Sequence, residues 1–170
     1  MSSRRAAVGG GNSTGSLVFE VNPRGFREVM KAAGQIDKVL TRELRRSIRT
    51  SAKTVMQRMQ DEVRSGSYKQ NTGMRDQIAR SLRVQIATTT RNTGVRIIQG
   101  GSALPENKRR MGKVWETPSF RHPIFGTSKF VSQDGHPYFF KIAGEGRQEI
   151  TDEVMKAMQR AAQAVGGRLA

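Results

Sequence analysis

The stretch IDKVLTRELRRSIRTSAKTVMQRMQDEV, residues 36–63, decides the fold because its apolar residues recur at steps of three and four. This spacing is typical of one face of an amphipathic α-helix. The apolar residues of the stretch are Ile36, Leu40, Leu44, Ile48, Ala52, Val55, Met59 and Val63. A shorter set with the same spacing precedes them and consists of Phe26, Val29, Met30 and Ala33. The pattern predicts helix from Arg24 to about Ser65, with Gly34 dividing it into a short and a long segment.

The opposite face of the long predicted helix is basic. Its cations, again at helical spacing, are Arg42, Arg45, Arg46, Arg49 and Lys53. Like charges at this spacing repel by a few tenths of a kcal/mol per pair, on the order measured in isolated helices. Water makes such a stripe tolerable, and an acidic surface or phosphate makes it favourable. Three interpretations therefore stay open, namely a solvated face, a nucleic-acid contact and a contact to an acidic protein.

The remaining segments predict short strands and two further helices. The β-prone run 17–21 ends at an Asn-Pro pair, which favours a strand followed by a helix start. Thr72 is placed to cap a short helix that runs through Ser81. The runs 82–87 and 95–98 flank an Asn-Thr-Gly turn and predict a β-hairpin.

The C-terminal part predicts an irregular connector and a last helix. Residues 99–118 form the connector, with one helical turn at 111–116. From Tyr138 onward, apolar residues again share one helical face, and Gly166-Gly167 suits the helix end. The members of this face are Ile150, Val154, Met158, Ala161 and Val165. The expected class is α+β: a long N-terminal helix and a C-terminal helix packed on a small antiparallel sheet.

Composition narrows the possible functions. The chain has 170 residues, a formal charge of +16 and a pI of about 11.4, which favours polyanionic partners. It has no cysteine, so disulfides, cysteine-metal sites and thiol catalysis are excluded. No apolar run is long enough to span a bilayer, so no membrane partner is expected. The glycine-rich residues 1–15 are expected to form a flexible arm, and residues 16–170 a single domain.

Aromatic residues are concentrated in one block, and the prolines at 118, 123 and 137 predict that this block is irregular and rich in loops. Residues 120–140 hold both histidines and five of the seven phenylalanines. Asp134 offers a carboxylate that could pair with His122 or His136 for base catalysis, but the sequence gives these histidines no partnered nucleophile and no cysteine or third histidine for a metal. We therefore expect them to hydrogen-bond backbone. We expect the phenylalanines at 125, 130, 139 and 140 to pack, and burial of each side chain would stabilise the fold by about 1.5–3 kcal/mol.

The order of these segments resembles the tail-completion (neck, head–tail joining) proteins of long-tailed, siphovirus-type bacteriophages. The similarity covers roughly residues 24–165. Its most specific parts are the segment RHPIFG at 121–126 and the segment HPYFF at 136–140, which opens the last helix. TGMR at 72–75, SLRV at 81–84 and FVSQ at 130–133 contribute to it. Phe120 and Phe130 stand where this family often has tryptophan, and Trp115 lies earlier.

The resemblance implies a structural virion protein without catalytic residues or cofactors. Copies are expected to form a ring, of six subunits, around the DNA channel between the head connector or head-closure proteins and the tail terminator or tail tube. Its location would be the neck of the virion, after synthesis in the bacterial cytoplasm. The interface or packing residues would be Trp115, Arg121, His122, Pro123, Phe125, Phe130, His136, Tyr138, Phe139 and Phe140.

A second function is open on charge alone. The chain could be a basic accessory protein that contacts the DNA backbone without sequence preference, since no helix-turn-helix, zinc-finger or basic-zipper pattern is present. The cations considered for a DNA-channel or acidic-partner contact are Arg42, Arg45, Arg46, Arg49, Lys53, Lys108, Arg109 and Arg110.

Overall fold

A computed structural model describes residues 16–36, 38–65, 73–88, 93–124 and 126–166. In chain order the elements are β1 Leu17–Val21, α1 Phe26–Ile36, α2 Lys38–Ser65, α3 Met74–Arg80, β2 Arg83–Thr88, β3 Thr93–Gln99, α4 Met111–Glu116, β4 Ser119–Pro123, β5 Phe130–Asp134 and α5 Phe139–Gly166. The α+β class predicted from the sequence is confirmed. The predictions for residues 1–15, Thr72, Phe125 and Gly167 lie outside the described residues, as do those for the side chains of Ile36 and Val165.

The main sheet has the strand order β1-β3-β2 and is antiparallel throughout. Strand β3 lies in the centre, where Ile97 pairs with Phe19 of β1 on one side and Val84 of β2 on the other. The predicted hairpin of β2 and β3 is therefore confirmed, and β1 adds a third strand. Thr93 and Gly94, which were predicted to lie in the turn, instead belong to β3. Phe19 and Ile97 are buried, so this face of the sheet forms one wall of the core.

The two long helices α2 and α5 form the other wall. Of the apolar stripe predicted for α2, the residues from Leu44 to Val63 are buried. Ile150, Val154 and Ala161 of α5 are buried as well. A Cβ atom at Gly146 would lie 2.6 Å from Cγ2 of Val55, so the absence of a side chain there lets α5 approach α2 closely. The helix continues through Gly144 and Gly146.

The division of the N-terminal helical segment lies later than predicted. Helix α1 ends at Ile36 and α2 begins at Lys38, whereas Gly34 lies inside α1 in helical conformation. The prediction of a short helix followed by a long one is correct, but Gly34 as the dividing residue is wrong. Gly34 is exposed and would place a Cβ atom 3.6 Å from the Thr41 hydroxyl oxygen, which is ordinary van der Waals contact.

A second hairpin, absent from the sequence-based prediction, follows the connector. Strands β4 and β5 pair antiparallel, with Phe120 opposite Gln133 and His122 opposite Val131. They form a separate two-stranded sheet. The prediction of an irregular, loop-rich block was wrong for these residues, because Ser119–Pro123 and Phe130–Asp134 are regular strands. We call this hairpin, residues 119–134, the ribbon.

Candidate interaction surfaces

The ribbon is exposed over most of its length. Every described residue from Pro123 to Ser132 is solvent-exposed, and Phe130 keeps 56% of its surface accessible. Ile124 and Val131 are also among the exposed large hydrophobic residues. The prediction that Phe130 packs into the fold is therefore wrong: its ring lies over the surface, where the Arg121 guanidinium sits 5.6 Å from the ring centre. Phe139 is fully buried and Phe140 half-buried, as predicted.

The two faces of the ribbon carry different chemistry. The strand register places Phe120, His122, Val131 and Gln133 on one face. The Phe120 ring lies 6.2 Å from the Trp115 ring and 6.2 Å from the His122 ring, so a row of aromatic rings runs outward from α4. The other face carries Arg121, Pro123, Phe130 and Asp134.

The base of the ribbon is fixed to the body of the protein by backbone contacts. The Gly135 amide donates to the Pro118 carbonyl at 2.8 Å, and the His136 amide donates to the Trp115 carbonyl at 2.8 Å. A Cβ atom at Gly135 would lie only 1.6 Å from the Thr117 carbonyl oxygen. Since no side chain fits into that gap, glycine is required where the ribbon returns to the body.

Glu116, which the sequence analysis did not single out, caps the N-terminus of α5. Its carboxylate accepts hydrogen bonds from the backbone amides of Tyr138, Phe139 and Phe140 at 2.9–3.0 Å. The first amides of a helix have no partner within the helix, and a negative charge there also interacts favourably with the helix dipole. Glu116 therefore ties α4, and with it the start of the ribbon, to the last helix.

Tyr138 is buried directly before α5. Burial raises the pKa of its phenol well above the usual value, and the nearby Glu116 carboxylate adds to the increase. Among the described residues its hydroxyl has no hydrogen-bond partner. The phenol therefore stays neutral and acts as part of the core, together with the Phe139 ring 6.3 Å away.

Both histidines contact backbone carbonyls, as predicted. Nδ1 of His122 lies 3.2 Å from the Pro123 carbonyl oxygen, and Nε2 of His136 lies 3.1 Å from the Glu62 carbonyl oxygen. Nε2 of His136 is also 3.4 Å from the Glu62 carboxylate, which links the ribbon base to the end of α2. Asp134 and His122 lie on opposite faces of the ribbon, so these two residues do not form a carboxylate–histidine pair for base catalysis.

The basic residues of α2 line an open groove of about 720 Å³ on the outer side of α1 and α2. Lys38, which the sequence analysis did not include, joins the five predicted cations there. The described residues that line the groove are Gly34, Lys38, Thr41, Arg42, Arg45, Arg46, Arg49, Thr50 and Lys53. We call this site the basic groove.

The connector cations lie elsewhere. The Lys108 ammonium contacts Oε1 of Gln77 on α3 at 3.2 Å, and the Arg109 guanidinium lies 3.9 Å from the Glu106 carboxylate. Arg110 is exposed at the start of α4. None of the three lines the basic groove, so the structure separates the two sets of cations that were considered together.

Neither a candidate metal site nor a membrane-spanning helix is found among the described residues. No group of three or more histidine, cysteine, aspartate or glutamate side chains in these ranges lies close enough to hold a metal ion. In the same part of the chain, no helix is both long and apolar enough to cross a membrane.

Comparison with known proteins does not add an identity. The chain matches no protein-family model, no curated protein and no solved structure.

Proposed function

We propose that this protein is a structural subunit of a bacteriophage neck, which joins the head connector to the tail, and that the ribbon is its main contact to neighbouring subunits. The observation that carries the proposal is the exposure of apolar side chains along a hairpin that is rigidly attached at its base. The segments RHPIFG and HPYFF, on which the family resemblance rests, form β4, the ribbon turn and the start of α5.

An exposed two-stranded ribbon fits an assembly role for physical reasons. A single hairpin in water is at best marginally stable, and its outer edges offer unpaired backbone groups to another chain. Phe130, Val131 and Ile124 would add apolar burial at such a contact. A neighbouring subunit that covers the ribbon would therefore stabilise it.

The geometry of such a contact favours a ring. The ribbon of one copy would meet a different surface of the next copy, and repeated contacts of this type close into a ring when the rotation permits. We propose a ring of six copies around the DNA channel, with connector proteins on one side and the tail terminator or tail tube on the other. This arrangement needs no catalytic residue or cofactor.

The test is the position of the protein in virions from the genome that encodes it. A tagged wild-type chain should be found at the head–tail junction by electron microscopy. A Phe130→Asp variant should give separate heads and tails, because a charge would be buried at the contact. Met155→Asp is the matched control, since Met155 is 50% exposed on α5, away from the ribbon, and joined particles are expected. A tagged protein in the capsid shell, at the tail tip or absent from particles would refute the proposal.

A further inference from the structure

The basic groove concentrates six cations on one side of α2. They are Lys38, Arg42, Arg45, Arg46, Arg49 and Lys53, and no aspartate or glutamate among the described residues lines the groove. From Lys38 to Lys53 the helix rises about 22 Å, at about 1.5 Å per residue. The cations therefore form a continuous positive row rather than a single charged point.

These six cations have no counter-charge within the described residues. None of them forms an ion pair there, whereas Arg58 and Arg64, which follow them on α2, do. Arg58 pairs with Glu149 of α5, and Arg64 lies 3.2 Å from the Asp76 carboxylate of α3. The end of α2 is thus neutralised by packing neighbours, whereas the part from Lys38 to Lys53 is left positive around an open groove.

The lining favours a phosphate backbone over an acidic protein. Protein–protein contacts usually have a core of apolar and aromatic side chains, from which charged residues are depleted. The described residues that line the groove are glycine, threonine, lysine and arginine only. Contacts to DNA are more polar and far more positive than contacts between proteins. The composition of the groove therefore agrees with nucleic acid as its partner.

The positive row is long enough to contact several phosphates of duplex DNA. Each strand presents a phosphate about every 3.4 Å along the duplex axis, so about 22 Å of duplex offers several phosphates on the side that faces the protein. Arginine and lysine contacts to phosphate position a protein on DNA without reading its sequence. Among the described residues, the groove has no aromatic side chain on which unpaired bases could stack, which disfavours single strands.

We propose that the basic groove binds the phosphate backbone of duplex DNA without sequence preference. The inference stands on the groove and does not depend on the neck role. The ribbon and the groove are separate surfaces, because no ribbon residue lines the groove.

Binding of the full-length protein to fluorescent duplexes of two unrelated sequences tests the proposal. Both duplexes should bind equally, and affinity should fall roughly a thousandfold between about 50 and 200 mM salt if six phosphates are neutralised. The double variant Arg45→Glu/Arg49→Glu should bind roughly fiftyfold more weakly at about 100 mM salt. Each lost phosphate contact lowers the logarithm of the binding constant by about 0.9 at this salt concentration. The salt dependence of the variant should become shallower by about two units.

The variant is designed so that lost binding cannot be confused with lost folding. Arg45 and Arg49 are exposed, and glutamate there would lie one helical turn from Arg42, Arg46 and Lys53. The repulsive pairs 42/45, 46/49 and 49/53 become attractive, and of the pairs that the two substituted residues form only 45/49 stays like-charged, so the melting temperature should be unchanged or higher. Arg80→Glu/Lys156→Glu makes the same change in net charge at exposed positions outside the groove and should retain the binding.

Four results would overturn the inference. Equal loss of binding in the control variant would show attraction by net charge alone. Wild-type-like binding by Arg45→Glu/Arg49→Glu would place the contact elsewhere. Equal or tighter binding of the matching single strand, or displacement of the duplex by polyglutamate at equal charge concentration, would assign the groove to another partner. None of these results bears on the position of the protein in virions, so the two proposals fail separately.

Discussion

The two hairpins of this protein have the same pairing but opposite surroundings. In the β2–β3 hairpin, β3 is also paired with β1, and its residues Val95 and Ile97 are buried against the core. In the ribbon, β4 and β5 pair with each other and with no other described strand, and Phe130 and Val131 are exposed. The first hairpin is stabilised within the chain, whereas the second offers its apolar side chains to another chain.

The difference shows that local strand formation and tertiary burial can be separated. Both hairpins satisfy their inner backbone groups by pairing, but only the first adds burial of apolar side chains, which is the larger stabilising contribution. Apolar side chains that stay exposed on a hairpin form a surface suited to association with another chain. The following substitutions test that distinction.

Truncation of matched apolar residues should give the largest difference. Ile97→Ala removes a fully buried side chain and should lower the free energy of unfolding by about 2–5 kcal/mol. Phe130→Ala, although the larger truncation, should change it by less than about 0.5 kcal/mol in the unassembled protein. Denaturant unfolding followed by circular dichroism measures both. A comparable loss for Phe130→Ala would mean that the ribbon packs against the body.

Rigid attachment of the ribbon depends on Gly135. Gly135→Ala places a Cβ atom against the Thr117 carbonyl, so the ribbon base must shift, and we expect a loss of about 1–3 kcal/mol. Gly144→Ala is the control, because a Cβ atom there meets nothing within 4 Å. Alanine favours the helix more than glycine does, so the free energy of unfolding should rise by about 0.5–1 kcal/mol. Thermal melts give both values. An unchanged Gly135→Ala protein would indicate that the ribbon base is loosely held.

The Glu116 cap gives a smaller effect. Glu116→Ala leaves the first amides of α5 without their acceptor and should cost about 1–2 kcal/mol. Glu116→Gln keeps an acceptor oxygen but loses the charge, so its loss should be smaller. Hydrogen exchange at residues 138–140 should rise in the alanine variant. Unchanged exchange there would show that the cap does not hold the helix start.

The sequence predicted the elements whose pattern is strong and local. The three- and four-residue spacing identified α2 and α5, and alternation around an Asn-Thr-Gly turn identified β2 and β3. The ribbon was missed because neither of its faces is uniformly apolar, so no buried side is visible in the pattern. The alternation of Phe120 and His122 before Gly126, which has φ of +80°, was the available signal for a hairpin.

The candidate surfaces were predictable only in part. Helical spacing grouped the α2 cations, but the groove they line depends on how α1 meets α2, and spacing within one helix does not determine that angle. The separation of the groove from Lys108, Arg109 and Arg110 likewise depends on tertiary packing, which the sequence pattern does not show. Glu116 gave no signal, because its partners begin 22 residues later in the chain.

The most direct test identifies the polypeptide that contacts the ribbon in the assembled particle. A photo-crosslinking phenylalanine analogue at Phe130 should, on irradiation of purified virions, join the chain to a second polypeptide at the head–tail junction. The same analogue at Phe139, which is fully buried, should give no cross-link to another chain. Absence of a cross-link from position 130, in particles that contain the protein, would contradict the claim that the ribbon is a contact between subunits.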